Sequence, residues 1–400
     1  MILKTLSILN YKNIEGTDLE FSPNINCLLG DNGEGKTNLL DAIYFLSFTH
    51  SMISNIDSQM IRHDADFFML KGKYLDDSNN MEEVISVSMK RGSKKIFRRN
   101  DKAYKRIAEH IGLIPVITVS PDDIMLINGG SEERRKLLDI IISQYDNTYI
   151  THLLQYNKAL KQRNALLKMD DTPDETLFLL WEEAMANHGE EVYKRRRDFI
   201  ERFTPLFNDI YSMISEDKES VSLNYISHCQ RGPLLNTITQ DRYKDLAVGY
   251  SLHGIHRDDI EMSMGNFPMR REGSQGQNKT YVIALKLAQY VFLRQMIKTT
   301  PPLLLLDDIF DKLDKGRVEK IIEIVNGEGF GQIFITDTNR EHLDKVLASS
   351  KTDYKIFNVK RGEFYVQTAT SLYCRFTESI YKEERIIDAS VTTKTDRGLG

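Results

Sequence analysis

The sequence predicts an α/β fold whose nucleotide-binding lobe is assembled from both chain ends, with a smaller, mainly helical second lobe between them. Three observations predict it. Residues 30–37 read Gly-Asp-Asn-Gly-Glu-Gly-Lys-Thr, a complete phosphate loop set between an apolar run and an apolar-periodic segment. Residues 303–308 read Leu-Leu-Leu-Leu-Asp-Asp, a buried parallel strand that delivers two acids at its C-terminal end. The two lie about 270 residues apart, with a charge-rich helical stretch between them, so one sheet must draw on both ends of the chain.

The elements follow in order. Strand character at 2–9, 18–21 and 25–29 leads into the phosphate loop, and Asn38 to Leu46 has the periodicity of its helix. Short strands are expected near 67–75 and 84–99, the latter turning at Arg91-Gly92-Ser93. Residues 131–215 read as helical and are broken into two arms at Asp170 to Pro173. Leu153, Leu160 and Leu167 recur every seven residues there, which over so few turns suits a core stripe or short helical hairpin better than a long coiled coil. From 221 onward α/β character returns, with strands at 303–306 and 332–336. The division is thus 1–120 for the first part of the ATPase lobe and 121–220 for the helical lobe with short arms. Residues 221–370 complete the ATPase lobe, and 371–400 form a polar tail expected to be partly disordered.

The phosphate loop sets the chemistry. Gly30, Asp31, Asn32, Gly33, Glu34, Gly35, Lys36, Thr37 and Asn38 would wrap backbone N–H donors around the phosphates of ATP, with the helix N-terminus aimed at the same place. Lys36 would reach the β/γ-phosphates, and the Thr37 hydroxyl would sit on Mg²⁺. Asp307 would hold Mg²⁺ through water, and Asp308 would orient or deprotonate the attacking water. Taken alone, two acids after a core strand are an ordinary surface pair; beside a phosphate loop they are its second half. Ser274, Gly276 and Gln277 stand just ahead of a helical stretch, Asn278 to Met296, and offer a second anion site at a helix N-terminus. As a bare string this is equally an ordinary N-cap.

The order of these segments resembles that of ABC-type ATPases, in which the signature loop contacts the γ-phosphate held by the opposite protomer. That resemblance implies an ATP-dependent homodimer, with Phe310-Asp311-Lys312-Leu313-Asp314 similar to the dimer-contacting loop of the class.

Composition narrows the field. The chain has 400 residues, 41% hydrophobic and 28% charged, an ordinary globular balance. No run approaches ~18 uncharged apolar residues and the N-terminus lacks a signal-peptide layout, so no membrane span and a cytoplasmic setting are expected. Cys27, Cys229 and Cys374 are scattered and form neither a disulfide framework nor a C-x-x-C site. With a net charge of −5, any DNA-binding face must be a local patch. The hairpin residues Lys90, Arg91, Lys94, Lys95, Arg98 and Arg99 are the first candidates and Lys194-Arg195-Arg196-Arg197 the second. Either could equally be a solvated face.

Several motifs together resemble the RecF family of SMC-related recombination-repair ATPases. Ile8-Leu9-Asn10-Tyr11-Lys12-Asn13 is similar to its Phe-Arg-Asn motif, with Lys12 in place of arginine, and residues 30–44 are very similar to its phosphate-loop segment. Pro121 to Asp139 matches a family signature, with Ser131 where proline is usual and Leu137 where an aromatic is usual. His256-Arg257-Asp258-Asp259 matches another, with Ile255 where proline is usual; it imitates a kinase catalytic loop, but no Asp-Phe-Gly motif accompanies it. The resemblance covers roughly residues 1–367. It implies binding of double-stranded and gapped DNA, help in loading RecA together with RecR and RecO, and weak DNA-dependent ATPase activity.

Three departures bear on turnover. Asp337 stands where a switch histidine is usual, no glutamine appears in Thr118 to Pro121 at the lobe junction, and Asp308 is one methylene shorter than the usual glutamate. Slow hydrolysis follows, with ATP acting as a switch. Two alternatives are an SMC-type repair ATPase with a nuclease partner and a soluble ATPase subunit of a transporter. Short arms without a cysteine hook disfavour the first, and the long motif spacing disfavours the second.

Overall fold

The computed structural model describes residues 1–76, 80–169, 174–216, 219–310, 313–327, 329–349 and 353–367. The expected helix break at 170–173, the expected tail at 371–400 and two residues of the 310–314 loop fall outside them. In chain order the first part contains β1 (Ile2–Tyr11), β2 (Ile14–Glu20), β3 (Ile25–Leu29), α1 (Lys36–Phe48), β4 (Phe67–Asp76), β5 (Met81–Lys90), β6 (Ile96–Arg99), β7 (Lys102–Ala103) and β8 (Val116–Val119). Helices α2 (Met125–Asn128), α3 (Ser131–Ser143), α4 (Asn147–Leu166) and α5 (Glu175–Ser215) follow, then β9 (Val221–Ile226), α6 (Leu234–Gln240), α7 (Arg242–Val248), β10 (Asp259–Met264), β11 (Phe267–Pro268) and α8 (Met269–Glu272). The last part contains α9 (Gln275–Met296), β12 (Leu303–Asp307), α10 (Lys315–Val325), β13 (Ile333–Asp337), α11 (Arg340–Ser349), β14 (Tyr354–Lys360) and β15 (Glu363–Val366).

Both chain ends build the central sheet. Its order is β15-β14-β3-β13-β12-β8, parallel from β14 to β8 with β15 antiparallel at the edge. Each central strand is apolar on both faces because both are covered. Leu28, Leu303, Leu305 and Phe334 face α1 and a second sheet, while Cys27, Leu304, Leu306 and Ile335 face the core shared with α9, α10 and the helical lobe. The second sheet is antiparallel, in the order β2-β1-β4-β5-β6-β7, and encloses α1 between itself and the central sheet. Gln332 ties the two sheets: its amide exchanges hydrogen bonds with the Leu3 backbone at 2.8 and 2.9 Å and donates to Ser22 O at 2.7 Å.

The helical region is a hairpin of α4 and α5 packed beside α3, with the small antiparallel sheet β11-β10-β9 against α5 and α3. The buried stripe of α4 is Tyr149, Tyr156, Ala159, Arg163 and Leu166; Leu153 and Leu160 lie at its half-buried margin. Leu167, the third of the seven-residue set, is buried with Leu166 and Phe178, and α4 and α5 form the short helical hairpin expected. Phe199, Phe203, Phe207 and Tyr211 of α5 run along α9 and meet Phe292 and Tyr281 edge-on. The charged run at 194–197 is split between surface and core, with Lys194 and Arg197 exposed beside Glu191, Asp198 and Glu201. Arg196 is 2% exposed and bonded to Asp258 Oδ2 at 2.9 Å and Asp139 Oδ1 at 2.8 Å, while Arg195 pairs with Asp146 and Glu191. Helical periodicity turns one side of such a run inward whatever its charge.

Candidate nucleotide site

The phosphate loop lies at the C-terminal end of β3, between the ends of β14 and β13, where ligands bind in open α/β sheets. Gly33 and Gly35 have φ of 84° and 115°, left-handed values that a side chain would strain, and Gly35 caps α1. Lys36, 5% exposed, curls back over the loop and donates from Nζ to Gly30 O at 2.6 Å and Asp31 O at 3.0 Å. Asn13 braces the loop from outside: its amide donates to Glu34 O at 3.3 Å and accepts from Asn38 Nδ2 at 2.7 Å. The β14–β15 turn covers the same stretch, with Gly362 N donating to Glu34 O at 2.8 Å and Arg361 N donating to the Glu34 carboxylate. The neighbouring Lys12 is 2.6 Å from Asp41 of α1, which fastens the 8–13 motif to the helix of the phosphate loop.

The acidic strand meets the loop as expected. Thr37 Oγ1 donates to Asp307, 2.9 Å from Oδ2 and 3.1 Å from Oδ1, and Thr336 Oγ1 donates to Asp307 Oδ1 at 2.7 Å. Burial pushes the Asp307 carboxyl up, and the two threonine hydroxyls and Lys36 pull it back. A hydroxyl and a carboxylate are hard oxygen donors that fit Mg²⁺, and Thr37 and Asp307 would hold it. Asp308 follows with φ 49°, and its N–H donates to Thr336 Oγ1 at 3.0 Å. Thr37, Asp307 and Asp308 line one open cavity of about 640 Å³, together with Ser120, Asp123 and Lys286. At the lobe junction, where no glutamine stands, Lys286 of α9 pairs with Asp123 at 2.7 Å. Asp337, at the position of the switch histidine, is buried, and its carbonyl accepts from Gly30 N.

The signature residues lie elsewhere. Ser274 caps α9, its Oγ accepting from Gln277 N at 3.2 Å while Gln277 Oε1 accepts from Ser274 N at 2.9 Å. None of Ser274, Gly276 and Gln277 lines the cavity of Thr37 and Asp308 within this protomer. The ordinary N-cap reading is therefore true of the isolated chain, and the exposed hydroxyl stands at the end of a 22-residue helix.

The basic hairpin is realised as β5 and β6, but its six cations differ. Lys95 pairs with Asp57 at 2.7 Å, Arg99 with Glu83 at 2.7 Å, and Arg91 donates to Ala65 O and Arg62 O. Lys90, Lys94 and Arg98 have no ion pair among the described residues. Cross-strand register puts Arg98 opposite Ser86 and Ser86 opposite Lys71, with Lys73 one pleat further along β4. This basic stripe across β4, β5 and β6 was hidden by the alternation within β4. Thr336 and the Arg361–Gly362 turn were missed too, since neither carries a local signal of its own, while Asn13 stands in the 8–13 motif without having been given a role at the loop.

The chain is similar to known proteins over most of its length. The family described as RecF/RecN/SMC N terminal domain matches residues 2–363. The DNA replication and repair protein RecF of Phocaeicola vulgatus is 57% identical over 363 residues, 91% of this chain and 98% of that protein. That of Porphyromonas gingivalis strain W83 is 47% identical over 366 residues, 91% of this chain and 100% of its own length. Among solved structures, the recombination mediator protein RecF-ATP in the RecFOR pathway superposes with a TM-score of 0.82 at 30% identity, covering 92% of this chain and 98% of that one. An Smc head bound to the C-winged helix domain of ScpA shares the fold alone, with a TM-score of 0.56 at 16% identity. The chain belongs to the RecF family, on an SMC-head-like P-loop ATPase fold.

Proposed function

We propose that the chain is an ATP-switched DNA-binding protein of recombinational repair and replication, acting as a homodimer that ATP closes on duplex or gapped DNA. The observation that carries this reading is the meeting of Thr37, at the end of the phosphate loop, with Asp307 at the end of the acidic strand. The backbone of residues 30–38 would hold the phosphates of ATP and Lys36 would neutralise them. Bound Mg²⁺ would supply charge neutralisation at the phosphate oxygens. Asp308 would accept the proton of the attacking water, from a carboxylate one methylene shorter than glutamate, so turnover is slow and ATP works as a switch. Ser274, Gly276 and Gln277 would complete the partner's site, with the exposed Ser274 hydroxyl at the end of α9 facing a second protomer's nucleotide.

DNA would lie on the stripe of Lys71, Lys73, Lys90, Lys94 and Arg98, held by sequence-independent phosphate contacts. RecR and RecO are the partners the family suggests, in a cytoplasmic setting. No helix among the described residues is long and apolar enough to cross a membrane.

Fluorescent duplex DNA titrated with Mg²⁺, with and without ATP, across a salt series tests this. Tighter binding with ATP that weakens steeply with salt is the expected result. Removing Lys90 or Arg98 would flatten the salt slope by about one each. No DNA binding in either state would leave an ATPase switch whose partner is a protein.

A further inference from the structure

The signature loop is braced by two side chains from two other elements. Gln277, already closing the cap with Ser274, donates its Nε2 to Glu219 Oε1 at 2.6 Å. Glu219 lies between α5 and β9, and its other oxygen accepts from Tyr211 in the last turns of α5. Burial opposes its charge, but the donors Gln277 and Tyr211 and the nearby Arg317 outweigh burial and hold the carboxyl below its ordinary range. Glu219 is thus an ionised acceptor at neutral pH.

On the other side stands Arg317, in the first turn of α10. Its backbone N–H donates to Asp314 Oδ1 at 3.0 Å and its Nε lies 3.2 Å from Asp314 Oδ2. The fixed guanidinium donates from Nη1 to Thr280 Oγ1 at 2.9 Å, and Thr280 donates to Gly276 O at 2.8 Å. It also crowds the loop, since a Cβ on Gly276 would lie 3.3 Å from Nη1. A capping box on an exposed helix end is worth only ~1 kcal/mol by itself. Charge-assisted bonds from two neighbouring elements hold it far better.

We infer that Glu219 and Arg317 are positioning residues for the signature loop, fixing Ser274, Gly276 and Gln277 in place for the nucleotide of a second protomer and coupling that loop to α5 and α10. The inference rests on the cross-protomer role of the loop proposed above. It assigns neither residue to the nucleotide of its own protomer.

Sedimentation of the full chain with Mg²⁺ and ATP reads dimer formation, and a fluorescent ATP analogue at dilute protein reads nucleotide binding by the single protomer. Glu219→Ala should weaken the dimer roughly tenfold while protomer affinity stays within about twofold. Glu219→Gln keeps an oxygen acceptor for Gln277 and should restore most of the dimer. The pair Glu219→Ala with Gln277→Ala should be no weaker than Gln277→Ala alone, since both remove one contact. Arg317→Ala, on a different element, should show the same selective loss. A native-strength dimer in Glu219→Ala and Arg317→Ala, with Ser274→Arg unable to dimerise, would overturn the inference and leave the cross-protomer reading standing. Equal loss of protomer binding and dimer in Arg317→Ala and Glu219→Gln would also overturn it, by making the role a general structural one. Normal dimers in Ser274→Arg would overturn the cross-protomer reading itself.

Discussion

Thr37 and Asp307 are 270 residues apart in sequence, yet the threonine hydroxyl donates to the carboxylate at 2.9 Å. Three covalently distant pieces make that contact possible. The parallel pairing of β3 with β13, and of β13 with β12, fixes the distance between the loop after β3 and the acid at the end of β12. Thr336, at the end of the intervening strand, bonds the same carboxylate at 2.7 Å. The site is thus a property of the sheet, and each piece alone would be an unremarkable loop or acid.

Asp308→Asn should leave the fold intact, because asparagine accepts the left-handed backbone at φ 49° as readily as aspartate. Loss of the base should slow steady-state hydrolysis by about a hundredfold or more and prolong the ATP-bound dimer. A phosphate-release assay checks this, and unchanged turnover removes Asp308 from the mechanism.

Ser274→Arg replaces a small exposed cap with a bulky cation at the mouth of α9. ATP should still bind the single protomer, while ATP-dependent dimerisation should be lost. Fluorescent-nucleotide titration beside sedimentation separates the two, and loss of protomer binding contradicts a role across the dimer.

Arg163 is fully buried and joins Glu182 at 3.0 Å to Asp245 at 2.7 Å, with Ser251 Oγ accepting at 2.7 Å. Arg163→Met would leave Asp245 buried without its cation and should cost about 3–5 kcal/mol of stability. Urea unfolding measures it; a loss under about 1 kcal/mol would show that the network carries little weight.

Mild acid should destabilise the protein through two buried histidines. Burial lowers His110 and His256 from 6.5 to about 4 each; Leu46 O and Ser251 O accept from their Nε2 atoms and oppose the shift only in part. Between those values the unfolded chain binds protons that the folded one does not, so stability falls as pH drops from 6.5 toward 4. Melting temperature followed from pH 7 to pH 5 should decline, and a flat profile would mean that neither histidine is held neutral.

The phosphate loop, the acidic strand and the two-ended lobe were legible because each is a local pattern with an obligatory context. Uncharged, largely apolar runs at 25–29 and 303–306 marked strands covered on both faces, and the two core clusters on either side of the sheet show why. The small sheet β9–β11 was not foreseen, since its strands are short and paired across an insertion that holds α6 and α7. Charge patterning misled most. The run 194–197 looked like a patch, but Arg196 serves the buried Asp258 of the 256–259 motif. The 121–139 and 256–259 segments clasp each other directly, through Arg134 on Asp259 at 2.6 Å and Arg135 on Asp258 O at 2.8 Å. Glu219 and Arg317 carry no motif at all, and only the tertiary fold brings them to the signature loop.

The most direct measurement is sedimentation velocity of the unmodified chain with Mg²⁺, with and without ATP, beside Lys36→Arg. Lys36 Nζ sits 2.6 Å from Gly30 O inside the loop, where a planar guanidinium does not fit as a point charge does. The account predicts a dimer only for the unmodified chain with ATP. A monomer under both conditions, or an ATP-dependent dimer of Lys36→Arg, would contradict it.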